Sequence, residues 1–293
     1  MEERLGVGAV LSGSFGLFFR RLHVLMPLAF VPYMLMAAAS TFLIPVADPF
    51  GTVAAGNAWA AIALQFVFFL VSLWVAAIVT LAALDMRARR ALRLGYYVAR
   101  GLGALTVIVV LSIAFAVMVA AVYAVAFGFL FLVGVNILDA AFLPEGPTIA
   151  IIFLVMLLPT LAALYLGARF GLFPTIAVAE PVGLGALGRA SQLTAGHRWG
   201  VLGSYLLALV CLLLMFIAVG FVAGIAIAVL AGLGDPTSLV TPGTGMMFTI
   251  NAIGAVVNSF SIAFIAAYLA VVYARLRELK EGIDVETLET VFE

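Results

Sequence analysis

The chain is written in six long apolar stretches, residues 22 to 47, 58 to 85, 102 to 134, 148 to 176, 200 to 232 and 247 to 274, separated by short segments that hold nearly all the charge. About 20 apolar residues carry a helix across the hydrocarbon of a bilayer, so each stretch is long enough. The third and fifth, 33 residues each, must tilt, kink or run past the interface. The pattern predicts an all-α, polytopic membrane protein of six transmembrane helices, a single integral-membrane domain over residues 1 to 293. Pro159, in the middle of the fourth stretch, predicts a kink there. Pro27 and Pro32 stand near the start of the first, where a missing N–H costs less.

Three polar segments have a periodicity of their own. At 100° per residue, Leu11, Phe15, Phe18, Phe19 and Leu22 gather on one side, with Ser14, Arg20 and Arg21 outside that arc. Further on, Arg89, Arg90, Arg93 and Arg100 share a face with Tyr97, and Ala88, Ala91, Leu92, Val98 and Leu102 share the other. Residues 187 to 199 divide less cleanly. All three read as amphipathic elbow helices in the headgroup plane, arginines among lipid phosphates; topology anchoring without selective lipid binding accounts for the same pattern. Elbow openings end at Arg21, Arg100 and Arg198, and returning helices close at Arg87, Arg169 and Arg275, intervals of 66, 69 and 77 residues. Three αα-hairpin repeats fit that spacing, as does any six-helix chain cut into three hairpins.

Charge orients the stretches. All 14 lysines and arginines lie in the N-terminal region, in two segments between helices and after the sixth stretch, whereas residues 46 to 57, 135 to 147 and 233 to 246 carry only Asp48, Asp139, Glu145 and Asp235. Lys and Arg are retained on the cytoplasmic side, so the alternation predicts an even number of spans, both termini cytoplasmic. At 66% hydrophobic and 10% charged, the chain has too few charges to coat a soluble surface, where about 25% is usual. Its single cysteine, Cys211, excludes an intrachain disulfide. A signal peptide is an alternative reading of the first stretch, with Arg20 and Arg21 before it and Ala37, Ala38 and Ala39 as a cleavage-like site. Continuation of the apolar run to Val46 favours a retained span.

Candidate chemistry inside the membrane is sparse. Ion-coupled transporters bury ionisable groups near the midplane, and these stretches hold none there. Gln65, Asn258 and Ser261 are candidates for a polar intramembrane cavity or for interhelical hydrogen bonds; Tyr123, Thr160 and Ser259 are the other deep polar side chains. Gly220, Gly224, Ala228 and Gly232 recur every fourth residue, as do Ala116, Ala120, Ala124 and Gly128, which predicts close helix packing within the chain or against a second copy. The only histidines are His23 and His197, no cluster has metal-ligand spacing, no G-x-S-x-G occurs, and the glycines from Gly183 to Gly188 lack a following Lys-Ser/Thr. Catalysis with Glu180 or His197 as base is the remaining enzymatic reading. The expectation is no catalytic residue, no metal, no cofactor and no nucleic-acid partner.

One segment is distinctive: Arg169, Phe173, Pro174, Glu180, Gly185-Ala186-Leu187, Ser191-Gln192-Leu193-Thr194, Gly196 and Trp199. Pro174 and Pro181 break the helix, Glu180 is placed to pair with Arg169 or with an arginine of another elbow, and Ser191, Thr194 and Trp199 suit re-entry at headgroup depth. It is a structural elbow or, as a site, a grip of Arg169, Arg189 and Arg198 on a phospholipid head, with Arg89, Arg90 and Arg93 as a second headgroup set. With Leu276-Arg277-Glu278-Leu279-Lys280-Glu281-Gly282-Ile283-Asp284, the segment resembles the six-helix integral-membrane domain associated with some bacterial glycerophosphodiester phosphodiesterases, and its stand-alone bacterial membrane relatives. The resemblance implies a bacterial inner-membrane module concerned with lipid or envelope homeostasis. It does not imply the hydrolase, which belongs to a separate barrel domain beginning His-Arg-Gly; here His197-Arg198 runs into Trp199.

After Gly282, Asp284 is placed to cap a short helix with Val285, Leu288 and Phe292 to one side, either docked on the Arg87 to Arg100 stretch or solvated. The expected function is a non-enzymatic scaffold or lipid-interacting module whose partners are membrane phospholipids and a protein partner or homo-oligomer. A transporter or flippase-like conduit for lipid or a small amphipathic molecule is the alternative. A polar cavity reaching both faces would mark the conduit, and packed helices around a lipid-filled groove the module.

Overall fold

The structure, a computed structural model, describes residues 5–43, 58–132, 146–232 and 244–282, and its regular elements there are all helical. In chain order they are α1 (Val7–Arg20), α2 (Leu22–Leu43), α3 (Ala58–Arg87), α4 (Leu94–Leu132), α5 (Gly146–Phe170), α6 (Phe173–Ala179), α7 (Ala186–Thr194), α8 (Arg198–Gly232) and α9 (Thr244–Glu281). A 3-10 turn, Gly183–Gly185, leads into α7. Among the described residues, six helices are long and apolar enough to span a membrane: α2, α3, α4, α5 with its continuation α6, α8 and α9. The three expected outer segments, apart from residues 146–147 and 244–246, and the short helix after Asp284 lie outside the described residues.

Polar and special residues set the helix ends. Between α1 and α2 the helix breaks at Arg21, whose N–H still donates to the Leu17 carbonyl at 3.1 Å. α9 stops at Gly282, where a left-handed φ of 64° ends the helix, as glycine commonly does. The α5–α6 break falls at Gly171, just before Pro174 in the first turn of α6. A Cβ on Gly171 would collide with the Gly167 carbonyl oxygen, a backbone atom that has no rotamer to escape into. Gly171→Ala is therefore expected to destabilise the protein by about 1 kcal/mol or more, read as a lower thermal midpoint in detergent; an unchanged midpoint would show that the break is soft.

The core forms around α9. Ala255, Ser259, Ala263 and Ala267 recur every fourth residue, all are buried, and Ala266, Ala270 and Ala274 widen the same face. Side chains this small let helix backbones approach closely, which matters where lipid gives helices little hydrophobic reason to associate. α2 and α3 take up most of that face, with Ala29, Ala37, Ala77, Ala82 and Ala83 buried in return. Polar bonds pin the contacts: Asn251 Nδ2 donates to Thr41 Oγ1 at 2.8 Å, and the Ser204 and Tyr268 hydroxyls meet at 2.9 Å.

Three expectations change here. The stripe Gly220, Gly224, Ala228, Gly232 does not pack within the chain over its described part: Cβ atoms on Gly220 and Gly224 would meet nothing within 4 Å. Ala116, Ala120, Ala124 and Gly128 are likewise exposed on the protein surface. Nor does α1 turn its apolar face to lipid alone: Leu11 and Phe18 are buried against the protein, while Arg20 and Arg21 stay exposed. Ser14 is fully buried and donates to the Val10 carbonyl, while Phe18 sits edge-on to Phe260 and Phe264, centroids 4.7 and 5.7 Å away. Third, the second elbow is not an amphipathic helix. Residues 88–93 form a turn, and α4 starts at Leu94, eight residues before its expected start, with Tyr97 fully buried.

Candidate functional site

The α3–α4 turn is a helix C-cap built around an arginine. Arg90 N–H donates to the Asp85 carbonyl at 2.8 Å and Arg89 N–H to that of Met86 at 3.3 Å, the paired bonds of a Schellman motif. The left-handed position in this motif usually falls to glycine; here Arg89 occupies it at φ 55°. Asp85 holds the turn from beneath, accepting a 2.7 Å bond from the Tyr97 hydroxyl. The turn thereby projects a run of basic side chains over the ends of α3 and α9.

Between that turn, α9 and the last residue of α6 lies a cavity of about 360 Å³. Its polar lining is Arg87, Arg90, Arg93 and Arg277 with Asp85, Tyr96 and Tyr273; Leu81, Leu84, Ala88, Ala179 and Ala274 supply an aliphatic wall. Arg90 and Arg93 are exposed. The other two arginines are held by carboxylates of α9, Arg87 by Glu278 at 3.0 Å and Arg277 by Glu281 at 2.8 Å. Arg90 reaches Asp85 only at 4.0 Å. Two guanidinium groups are thus fixed in place and two are left accessible beside them, an arrangement suited to planar, bidentate recognition of an oxyanion.

The third elbow, α6 to α7, uses its charges differently. Glu180 accepts from Arg189 Nε at 3.1 Å with one oxygen and from the Tyr273 hydroxyl at 2.6 Å with the other. Arg189 also pairs with Glu281, which pairs with Arg277, whose guanidinium lies 5.9 Å from the centroid of the Tyr273 ring. The result is a closed ring of charge and aromatic contacts that ties the elbow to α9. Burial pulls the Arg189 guanidinium down, but its bonds to Glu281 and Glu180 outweigh that and hold its pKa above the ordinary value. Arg169 Nε donates to Ser191 Oγ at 2.9 Å, and Thr194 Oγ1 donates back to the Arg169 carbonyl. Arg198 donates to the Tyr165 hydroxyl at 3.0 Å.

The residues singled out in the sequence therefore separate. Arg169, Arg189 and Arg198 are not a convergent grip; each is occupied by a side chain of its own neighbourhood. Glu180 pairs with Arg189 of the same elbow, not with Arg169 or an arginine of another elbow. Arg90 and Arg93 do converge on one cavity, with Arg89 in the adjoining turn. Gln65, Asn258 and Ser261 are not brought together: Gln65 and Asn258 are exposed, and Asn258 and Ser261 donate to the carbonyls of Gly254 and Val257 on their own helix. The sequence reading missed Arg87, Arg277, Tyr96 and Tyr273 as cavity residues. Their only local signal is the i,i+3 and i,i+4 spacing of Arg275 with Glu278 and Arg277 with Glu281 on α9.

No family model, curated protein or solved structure matches this chain. Two cavities of the protein bear on its function. A second one, about 430 Å³, opens between α4, α5, α8 and α9; it is mainly apolar, with the hydroxyls of Tyr123, Thr160, Tyr205 and Tyr268 along it. It shares no lining residue with the basic cavity. Among the described residues, no group of three or more His, Cys, Asp or Glu is placed to hold a metal ion.

Proposed function

We infer that this chain is a non-enzymatic membrane module that holds an anionic phospholipid headgroup in the basic cavity between the α3–α4 turn and the end of α9. The observation that carries this reading is the convergence there of Arg87, Arg90, Arg93 and Arg277 over an aliphatic wall. A lipid head at the membrane surface presents the same sequence of chemistries, charged oxygens above and apolar chain below. The arginine-bearing helix ends then lie on the cytoplasmic side, as the distribution of Lys and Arg argues. The resemblance of the third elbow and tail to the membrane domain of bacterial phosphodiesterases extends this to a role in the inner membrane, in lipid or envelope homeostasis.

A lipid conduit is the second reading, and the 430 Å³ intramembrane cavity is what speaks for it. The separate linings of the two cavities favour a static grip over a path.

The test is native mass spectrometry of protein extracted in polymer-bounded native membrane discs. The double variant Arg90→Ala/Arg93→Ala is expected to lose a defined lipid that the parent retains, with a thermal midpoint close to the parent's because both side chains are exposed. Retention of the same lipid by the variant would remove the cavity from consideration.

A further inference from the structure

The charges around the basic cavity go beyond the presence of a headgroup site and point to the kind of phosphate it takes. The ion pairs at and beside the cavity connect five arginines, Arg87, Arg90, Arg189, Arg275 and Arg277, with four carboxylates, Asp85, Glu180, Glu278 and Glu281, and a sixth arginine, Arg93, lines the cavity. Among these described residues the surplus is two positive charges. The carboxylates are not spread evenly: Glu278 and Glu281 each bridge two arginines, at the α9 side, and Asp85 is shared with the Tyr97 hydroxyl. On the turn, Arg90 has only Asp85, at 4.0 Å, and Arg93 stands in none of these pairs.

Phosphodiester headgroups bring one negative charge to such a site. A phosphomonoester brings between one and a half and two at neutral pH, because its second proton leaves at about pH 6, and it has three terminal oxygens for guanidinium donors where a diester has two. A monoanion would offset one of the two surplus charges beside the aliphatic wall; a dianion offsets both. Resting on the headgroup reading above, we propose that the cavity selects a terminal phosphate, a phosphomonoester or diphosphate, over a phosphodiester. The same chemistry is carried by a lipid such as phosphatidic acid and by a soluble glycerol phosphate, and the aliphatic wall of Leu81, Leu84 and Ala274 favours the lipid.

The experiment uses the full chain in phosphatidylcholine nanodiscs, titrated with phosphatidic acid or with phosphatidylglycerol of identical acyl chains and read by native mass spectrometry. Phosphatidic acid is expected to be retained about tenfold more strongly, and Arg90→Ala/Arg93→Ala is expected to abolish that preference. Equal retention of the two lipids, both lost in the variant, would overturn the phosphomonoester assignment and leave the headgroup site standing. Retention of neither lipid, or retention the variant does not alter, would overturn both. Glycerol 3-phosphate is added in a parallel arm. Displacement of phosphatidic acid at similar concentration supports the assignment with a soluble source, and failure to displace supports it with a membrane source.

Discussion

Ala267→Leu should lower the stability of this protein by about 3 kcal/mol, enough that little folded material would survive mild heating in detergent. Ala267 is completely buried on α9, as are Ala263 one turn before it and Ala270 beside it. In a water-soluble core an added isobutyl group is partly offset by the apolar surface it removes from water. Lipid tails offer no such gain, so an oversized side chain between two membrane helices only separates them and forfeits the dispersion contacts of everything nearby. The control is Gly224→Leu, with Gly220→Leu as a second. Both glycines face open space, and leucine is the better helix former, so each variant is expected within about 0.5 kcal/mol of the parent or slightly above it. Thermal unfolding followed by size-exclusion chromatography compares all three directly. Should the glycine variants fall as far as Ala267→Leu, the stripe on α8 packs against something, and α9 loses its special standing.

That comparison also shows where the sequence was readable and where it was not. Three stripes of small residues at four-residue spacing are present, in α4, α8 and α9, and spacing alone does not say which one packs. The one overlooked, Ala255 to Ala267, is the one at the centre, because small residues permit a close approach without requiring it. Membrane spans were legible for a stronger reason. Twenty or more apolar residues in succession have few stable environments besides a bilayer, and the six helices fall where the stretches do, differing mainly at their arginine-bearing ends. There α4 begins eight residues before its stretch, and α9 continues past its stretch through Arg275, Arg277 and Lys280 to the stop at Gly282.

Periodicity revealed faces but not their partners. Ser14 stands one turn before Phe18 on α1, about 40° from it on the helical wheel, and protein covers both, while Arg20 on the far side stays exposed. Tyr97 shares a face with arginines and is nevertheless the buried anchor of Asp85. Arginines as such were easy to find. Whether each one was available depended on carboxylates far away in the chain: Arg189 and Glu281 are 92 residues apart, Arg87 and Glu278 are 191 apart. That information is tertiary, and it is what moved the candidate site from the third elbow to the second.

The second large effect is expected at Arg189. Replacing it with alanine removes the two bonds that join Glu180 to Glu281 and leaves two carboxylates facing each other across the gap. Arg189 is 28% exposed and the carboxylates 14% and 20%, so water relieves part of the repulsion. The expected loss is about 2 kcal/mol, above the range for exposed ion pairs and below that for fully buried ones. Alanine is the better helix former, so propensity in α7 does not add to the loss. A double-mutant cycle isolates the pair: once Glu180 is glutamine, removal of Arg189 should cost distinctly less than it does in the parent, because one of the stranded charges is already gone. Additive costs would mean that the ring is a set of independent contacts and not a clasp. Lipid retention separates this role from that of the cavity. Glu281 released from Arg189 still holds Arg277 on the same helix one turn away, so Arg189→Ala should keep the bound headgroup while losing stability, the reverse of Arg90→Ala/Arg93→Ala.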